Sequence, residues 1–262
     1  RKTPACRRAS GGSLWRFGGS MRLGEHSTFQ PRLSIGFKKL LLNLNISLDS
    51  IKEDIVFNRE YGFYFDHSIY PSSDQLTKLE ILILYLEDRR FFVHRGFEFR
   101  SLLRLLRRFI RRGKIGGMST IDQQVVRIST KRSERSLRRK LREVALAYLC
   151  NFHLSKKEIF DYYLHNAYLG YRIEGCEIAA QRIFGCGAAY LNWEQAALIA
   201  SLYPLPFPKS AWEAYNSLAQ YPLSDPYEIL SVCSPSADRW SRRVAARMRH
   251  ALKHQDFRPK SL

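Results

Sequence analysis

The sequence lacks any run of roughly 18 apolar residues, the length a helix needs to cross the hydrocarbon core of a bilayer. The nearest candidate, Ile35 to Ile46, is short and interrupted by Lys38, Lys39, Asn43 and Asn45. No C-x-x-C pair is present, and the five cysteines (Cys6, Cys150, Cys176, Cys186 and Cys233) are odd in number. Both features argue against a structural zinc site and against a disulfide framework. Cys176 and Cys186 are a candidate pair, but buried free thiols are the plainer expectation. There is no internal repeat and almost no alternating strand pattern. Acidic residues are scarce: 24 Asp and Glu stand against 43 Lys and Arg, for a formal net charge of +19. A surface so basic points to anionic partners, whether nucleic acid, anionic lipid headgroups or a phosphorylated substrate.

What is present suits a helical protein. A chain of 262 residues makes one large domain or two small lobes around a shared core, and can bury enough surface without a staple. Residues 1–34 are rich in Arg, Gly and Ser and poor in acids, and read as a disordered or processed basic leader. Residues 35–255 form the expected domain and 256–262 a tail. Leu48 to Phe65 reads as a short helix with irregular chain. Ser72 and Gln75 have capping-box spacing ahead of Leu76, Leu79, Ile83 and Leu86. Arg100 to Arg112 is a helix with an apolar side and six arginines, ended by Gly113, Gly116 and Gly117. Further helices are expected over 119–129, opened by Ser119 or Thr120, and from Arg135 to Leu149. Ser155 and Glu158 cap another that Gly170 stops. Asn192 opens one running to Tyr203, and Asp238 to Leu252 is the last. The fold class expected is mainly α.

Four segments are unusual. EDRRFFVHRGFEFRSLLR, Glu87 to Arg104, ends an apolar helix in two acids, two arginines and two phenylalanines. A carboxylate held against aromatic rings has a raised pKa, which suits a general base near neutral pH; a helix end with surface ion pairs is the bland alternative. GGMSTIDQQVVR, Gly116 to Arg127, leads a glycine pair through Ser119 and Thr120 into a helix N-terminus. Free N–H groups there can bind an anion, and Gln123 and Gln124 add donors, though an ordinary capped helix has the same pattern. RSLRRKLREVALAYL, Arg135 to Leu149, sets Arg135, Arg139 and Arg142 on one face with Glu143 beside them. Fixed cations with an acid to orient them suit a diphosphate, and a solvated basic face is the alternative. EIFDYYLHNAYLGYRIEGCEIAAQRIFG, Glu158 to Gly185, reads as core packing.

Taken in this order, the segments resemble glycosyltransferase family 51, the peptidoglycan glycosyltransferase domain. Its E-D-R-R-F-x-x-H-x-G motif is matched by Glu87 to Gly96, G-G-S-T-I-T-Q-Q by Gly117 to Gln124, R-K-x-K-E by Arg139 to Glu143, and Y-L-N-x-x-Y-L-G by Tyr163 to Gly170. An alanine-rich helix, Glu194 to Leu202, and an arginine-rich one, Asp238 to Met248, follow as in the family. The likeness spans about residues 70 to 252, with no transpeptidase segment, as in monofunctional members. Met118 stands at the second glycine, Asp122 at a threonine, Glu98 at an aspartate and His165 at the asparagine. Arg127 and Arg142 stand where lysines are common.

The resemblance implies a lysozyme-like helical glycosyltransferase domain with a small membrane-facing lobe around Arg100 to Arg112. It implies polymerisation of a lipid-linked disaccharide (lipid II) into β-1,4 glycan, with inversion and release of polyprenyl diphosphate. Glu87 would be the general base. Arg127, Arg135, Lys140 and Arg142 would stabilise the leaving diphosphate, and Glu143 would orient them or a divalent cation, Mg or Mn. Ser119, Gln123 and Gln124 match positions lining the donor side. No organic cofactor is implied. The partners implied are precursor and glycan chain, the membrane surface and cell-wall synthesis proteins. The location implied is the outer face of the bacterial cytoplasmic membrane, peripheral or anchored by a segment outside this sequence. Competing readings are a precursor-binding member without turnover, a basic nucleic-acid-binding helical protein, and a glycan-cleaving enzyme on the related lysozyme fold.

Overall fold

Short polar residues decide where most helices begin. A computed structural model of the chain describes residues 35–61, 76–98, 119–132, 134 and 136–260. Helix α1 is Ile35–Tyr61 and α2 is Lys78–Glu87, followed by α3, Ile121–Thr130, α4, Leu137–Cys150, and α5, Lys156–Asn166. A two-stranded antiparallel ribbon comes next, β1 being Tyr168–Gly170 and β2 Ile173–Glu174. Then follow α6, Cys176–Phe184, a single 3-10 turn, Ala188–Tyr190, α7, Trp193–Leu202, α8, Lys209–Asn216, and α9, Pro226–Leu252. Thr120, Ser136, Ser155 and Asn192 each accept a backbone N–H as N-caps, and Ser155–Glu158 and Asn192–Gln195 complete capping boxes.

The fold is mainly α, as the sequence predicts, and four boundaries differ from expectation. Helix α2 starts at Lys78, where Thr77 and Glu80 exchange the capping-box bonds; Ser72 and Gln75 lie outside the described residues. Helix α1 runs 27 residues, through the short apolar stretch Ile35 to Ile46 and most of the stretch read as a short helix with irregular chain. Leu48, Ile51 and Ile55 are buried at helical spacing and anchor it against α3, α4 and α5, while Leu42 and Ile46 stay exposed. Helix α5 stops at Asn166 rather than at Gly170, because Ala167 turns extended and β1 follows. A Cβ on Gly170 would sit 2.5 Å from that of Phe207, which pairs with this strand, so the glycine serves close approach. Helix α9 carries Pro235 and breaks its helical geometry at Ala237, so the predicted start at Asp238 marks its second half.

The core centres on α7. Ala196 to Leu202 are all buried, the mark of a helix enclosed on every side. Helices α2 and α9 pack on it, and this juxtaposition brings the end of α2 under the second half of α9. Beyond α9 the chain stays packed, with Phe257 edge-on to Tyr85 at 5.4 Å. Cys150, Cys176, Cys186 and Cys233 are free thiols. No helix among the described residues is long and apolar enough to cross a membrane. The helix expected from Arg100 to Arg112, with the lobe built on it, lies outside the described residues.

Candidate active site

The last residue of α2 is Glu87, and burial dominates its chemistry. Its side chain is 12% exposed. Removal from water pushes its carboxyl above the ordinary value of 4.5, the Asp88 charge adds to this, and Arg247 and Gln124 oppose it. Gln124 Nε2 donates to one oxygen at 3.1 Å, and an Arg247 guanidinium N–H donates to the other. Gln124 is itself held by Tyr163, whose hydroxyl donates to its Oε1 at 3.0 Å. The four residues come from α2, α9, α3 and α5, so the carboxylate sits where those helices converge. The phenylalanines of the motif are not its hydrogen-bonding company: Phe91 is buried against Phe92 and Phe160.

The turn after Glu87 is fixed by Gly96. Its φ of +80° is accessible to glycine, and a Cβ there would lie 2.3 Å from the Ala147 carbonyl oxygen on α4. Its own carbonyl accepts the Thr120 hydroxyl at 2.8 Å and the Gln123 amide at 3.5 Å. The Thr120 hydroxyl also accepts the Gln123 N–H at 3.3 Å, so it caps α3 and ties the first two motifs together. Gln123, expected on the donor side, is buried beneath this turn.

Glu143 is buried on α4 with cations on both oxygens. Lys140 Nζ approaches one at 3.2 Å and Arg139 donates to the other. Lys140 also donates to the Ser119 hydroxyl at 2.6 Å, joining α4 to the entry of α3. Burial draws the Lys140 ammonium down and Glu143 opposes this, while the Arg127 and Arg139 charges add to the lowering. The expected basic row is divided. Arg139 joins Lys140 on Glu143, whereas Arg142 turns to α1, donating to the Ser47 hydroxyl and to the Asn43 carbonyl at 3.4 Å. Arg135 lies outside the described residues, as do Gly116 to Met118.

A cavity of about 680 Å³ opens where α1, α3, α5 and β1 meet. That is a size that accommodates a small-molecule group. Gln124, Tyr163 and Tyr203 form the part that adjoins Glu87's partners; Arg127, Lys131 and Arg132 give a cationic wall, with Asp54 and Glu174 also present. Tyr162 spans to α1, its hydroxyl donating to Asp54.

A protein-held divalent cation does not fit these donors. Both oxygens of Glu143 are taken by cationic side chains. Among the described residues the other group with three candidate ligands is Asp88, His94 and Asp122. There Lys156 Nζ already sits 2.8 Å from Asp122, and Asp88 Oδ2 accepts both from His94 and from the Ile121 N–H. A dication there would have to displace Lys156 and Asn151 from Asp122, and His94 and the Ile121 N–H from Asp88.

The sequence reading brought Glu87, Gln124, Ser119, Lys140 and Glu143 to notice, and the structure joins them into two linked clusters. It missed Arg247. The signal was there: Val244, Met248 and Ala251 form a buried stripe, and Arg247 is the arginine that borders it.

A largely buried, basic-shifted carboxylate close to a cation-walled cavity makes this region the candidate active site. Comparison with known proteins gives the family. Residues 59–222 match the Transglycosylase family, and the chain belongs to it. It is similar to a biosynthetic peptidoglycan transglycosylase of Alcanivorax borkumensis, 37% identical over 135 residues, 51% of this chain and 55% of that protein. Proteins of the same description from Herminiimonas arsenicoxydans and Caulobacter vibrioides are 33% identical over 141 residues and 35% over 145, covering 53% and 55% of this chain and 61% and 63% of theirs. The chain thus spans between half and two thirds of the length of these curated relatives. Arg247 lies beyond the family match.

Proposed function

We propose that this chain polymerises a lipid-linked disaccharide into β-1,4 glycan strands, with Glu87 as general base. The observation that carries the reading is the environment of Glu87: a carboxylate that burial makes more basic, aimed by Gln124 and Arg247. It takes the proton of the acceptor sugar's 4-hydroxyl as that oxygen attacks the donor's anomeric carbon. The bond from that carbon to the diphosphate breaks, the diphosphate leaves with the electron pair, and the linkage inverts from α to β. Relatives described as biosynthetic peptidoglycan transglycosylases support this substrate class.

Cations near the leaving group lower the barrier, because its charge grows as the bond breaks. Arg127, with Lys131 and Arg132 on the cavity wall, is placed for that role, and Arg135 and Arg142 are assigned to it by resemblance. Glu143 holds Lys140 and Arg139 in place, and Lys140 acts beside Ser119. Ser119, Gln123 and Gln124 remain the donor-side set, with Gln123 acting through the Gly96 turn. No step runs through a metal. The work is done at the outer face of a bacterial cytoplasmic membrane, where such a precursor is presented.

The test is incubation with labelled lipid-linked disaccharide and separation of polymer from precursor. Polymer is expected from the wild-type chain and none from Glu87→Gln. Precursor bound but never converted by the wild type would favour a binding protein, and shortened glycan would favour a cleaving enzyme.

A further inference from the structure

Behind the Glu87 turn lies a chain of four ionisable side chains from four segments. Asp88 caps the end of α2, and its Oδ2 faces His94 Nε2 at 2.9 Å and accepts the Ile121 N–H at 3.2 Å. His94 Nδ1 faces Asp122 Oδ2 at 3.8 Å, and neither atom has a hydrogen-bond partner. The other Asp122 oxygen takes Lys156 Nζ at 2.8 Å and the Asn151 amide at 2.7 Å. The side chains of Asp88, His94, Asp122 and Lys156 are 8%, 8%, 1% and 18% exposed. Lys156 lies over the Phe91 ring at 4.3 Å.

The arrangement alternates acid and base: Asp88, His94, Asp122, Lys156. An imidazole between two carboxylates can donate to both when it carries both protons, and the four charges then sum to zero. Buried charges are retained when so matched, and stranding one is costly. Asp122 stands where the resembled motif carries a threonine. Burial pushes its carboxyl up, opposed by Lys156 and Asn151, so the ammonium is what makes an acid tolerable there.

We propose that Asp122, His94 and Lys156 are positioning residues: a buried relay that clamps the Asp88 turn, and with it Glu87, onto the first turn of α3. The relay ties α5 through α3 to the residue next to the base. It therefore sets both where the Glu87 carboxylate points and how strongly the Asp88 charge acts on it. The relay's role in turnover rests on the reading of Glu87 as the base. The charged and titratable groups facing Glu87 are Arg247 from α9, Asp88 from its own turn, Tyr163 from α5 and Tyr203 at the end of α7; those facing His94 are Asp88 and Asp122.

The test combines steady-state kinetics on labelled lipid-linked disaccharide, thermal melting, and NMR titration of the 13C-labelled Glu87 carboxyl. The variants are Asp122→Thr, His94→Gln and the double variant Asp122→Thr/Lys156→Met. The single variants should lower kcat roughly 10-fold with KM within about twofold, as loss of alignment does. His94→Gln removes the imidazole that holds Asp88, so the Asp88 charge should act more strongly on Glu87 and the Glu87 midpoint should rise by roughly half a pH unit or more. The double variant removes the stranded ammonium, so its melting temperature should recover while kcat stays low. Recovery of kcat together with melting temperature would reduce the relay to a structural ion network and overturn the proposal, as would a Glu87 titration unmoved in every variant. A wild-type chain that makes no polymer, but whose Glu87 midpoint moves in His94→Gln, would sink the functional reading and leave the relay standing.

Discussion

Two buried glutamates sit in this site, and they keep different company. Glu87 receives one neutral amide and one guanidinium. Glu143 receives a cation on each oxygen, one of them the buried Lys140. The difference supports the proposed division of work between them. A carboxylate made more basic by burial, with a single opposing charge, can take up a proton. One locked between two cations serves to hold them in place. Proteins commonly divide a pair of carboxylates in this way, by environment rather than by residue type.

The largest effect is expected at Glu87. Glu87→Gln keeps the shape, gives up one of the two accepted hydrogen bonds and cannot accept a proton, so the rate of polymer formation should fall roughly 100-fold or more with an unchanged circular dichroism spectrum. At Glu143 the same substitution should act chiefly on the fold. It leaves Lys140 and Arg139 facing an uncharged amide in a nearly dry place, and thermal melts should show a loss on the order of 3–5 kcal/mol. A Glu143→Gln protein as stable as wild type would mean the two acids differ less than their surroundings imply.

Smaller changes sharpen the contrast. Arg247 lowers the Glu87 pKa against the upward push of burial. Arg247→Met should therefore raise it further, and the acid limb of the pH–rate profile should move up by about one pH unit or more. Because the base works ionised, activity would be lost at a pH where wild type still turns over. Arg142→Ala should matter less than Lys140→Met in polymerisation rate, since Arg142 is engaged with Ser47 and Asn43 of α1. It should cost about 1 kcal/mol of stability or less. Arg243→Ala, at an exposed position of α9, should leave both rate and melting temperature unchanged.

Much of this was legible in the sequence because its signals are local. The Ser155–Glu158 and Asn192 caps, Thr120 at the head of α3, and the helical half that begins at Asp238 are read over three or four residues. Helix α1 was misread because Leu40, Leu41 and Leu42 are consecutive and exposed, which hides the Leu48, Ile51 and Ile55 stripe that anchors it. The start of α2 was misplaced because two capping-box spacings lie five residues apart, and Thr77 with Glu80 makes the bonds. Glu87 and Glu143 stood out by residue type and position. Their environments did not, since these come from tertiary contact: Arg247 lies 160 residues from Glu87 along the chain. In the sequence Asp122 is only an acid at a position where the resembled motif carries a threonine. Its partner Lys156, 34 residues further on, is what changes its meaning.

The proposal that Glu87 is a proton acceptor whose basicity comes from burial is tested most directly by the pH dependence of kcat for polymer formation. That profile should show an acid limb with a midpoint above 4.5, the ordinary value for a glutamate carboxyl, because burial outweighs Arg247 and Gln124. A rate that stays level down through 4.5, or a limb that survives unchanged in the residual activity of Glu87→Gln, would contradict it.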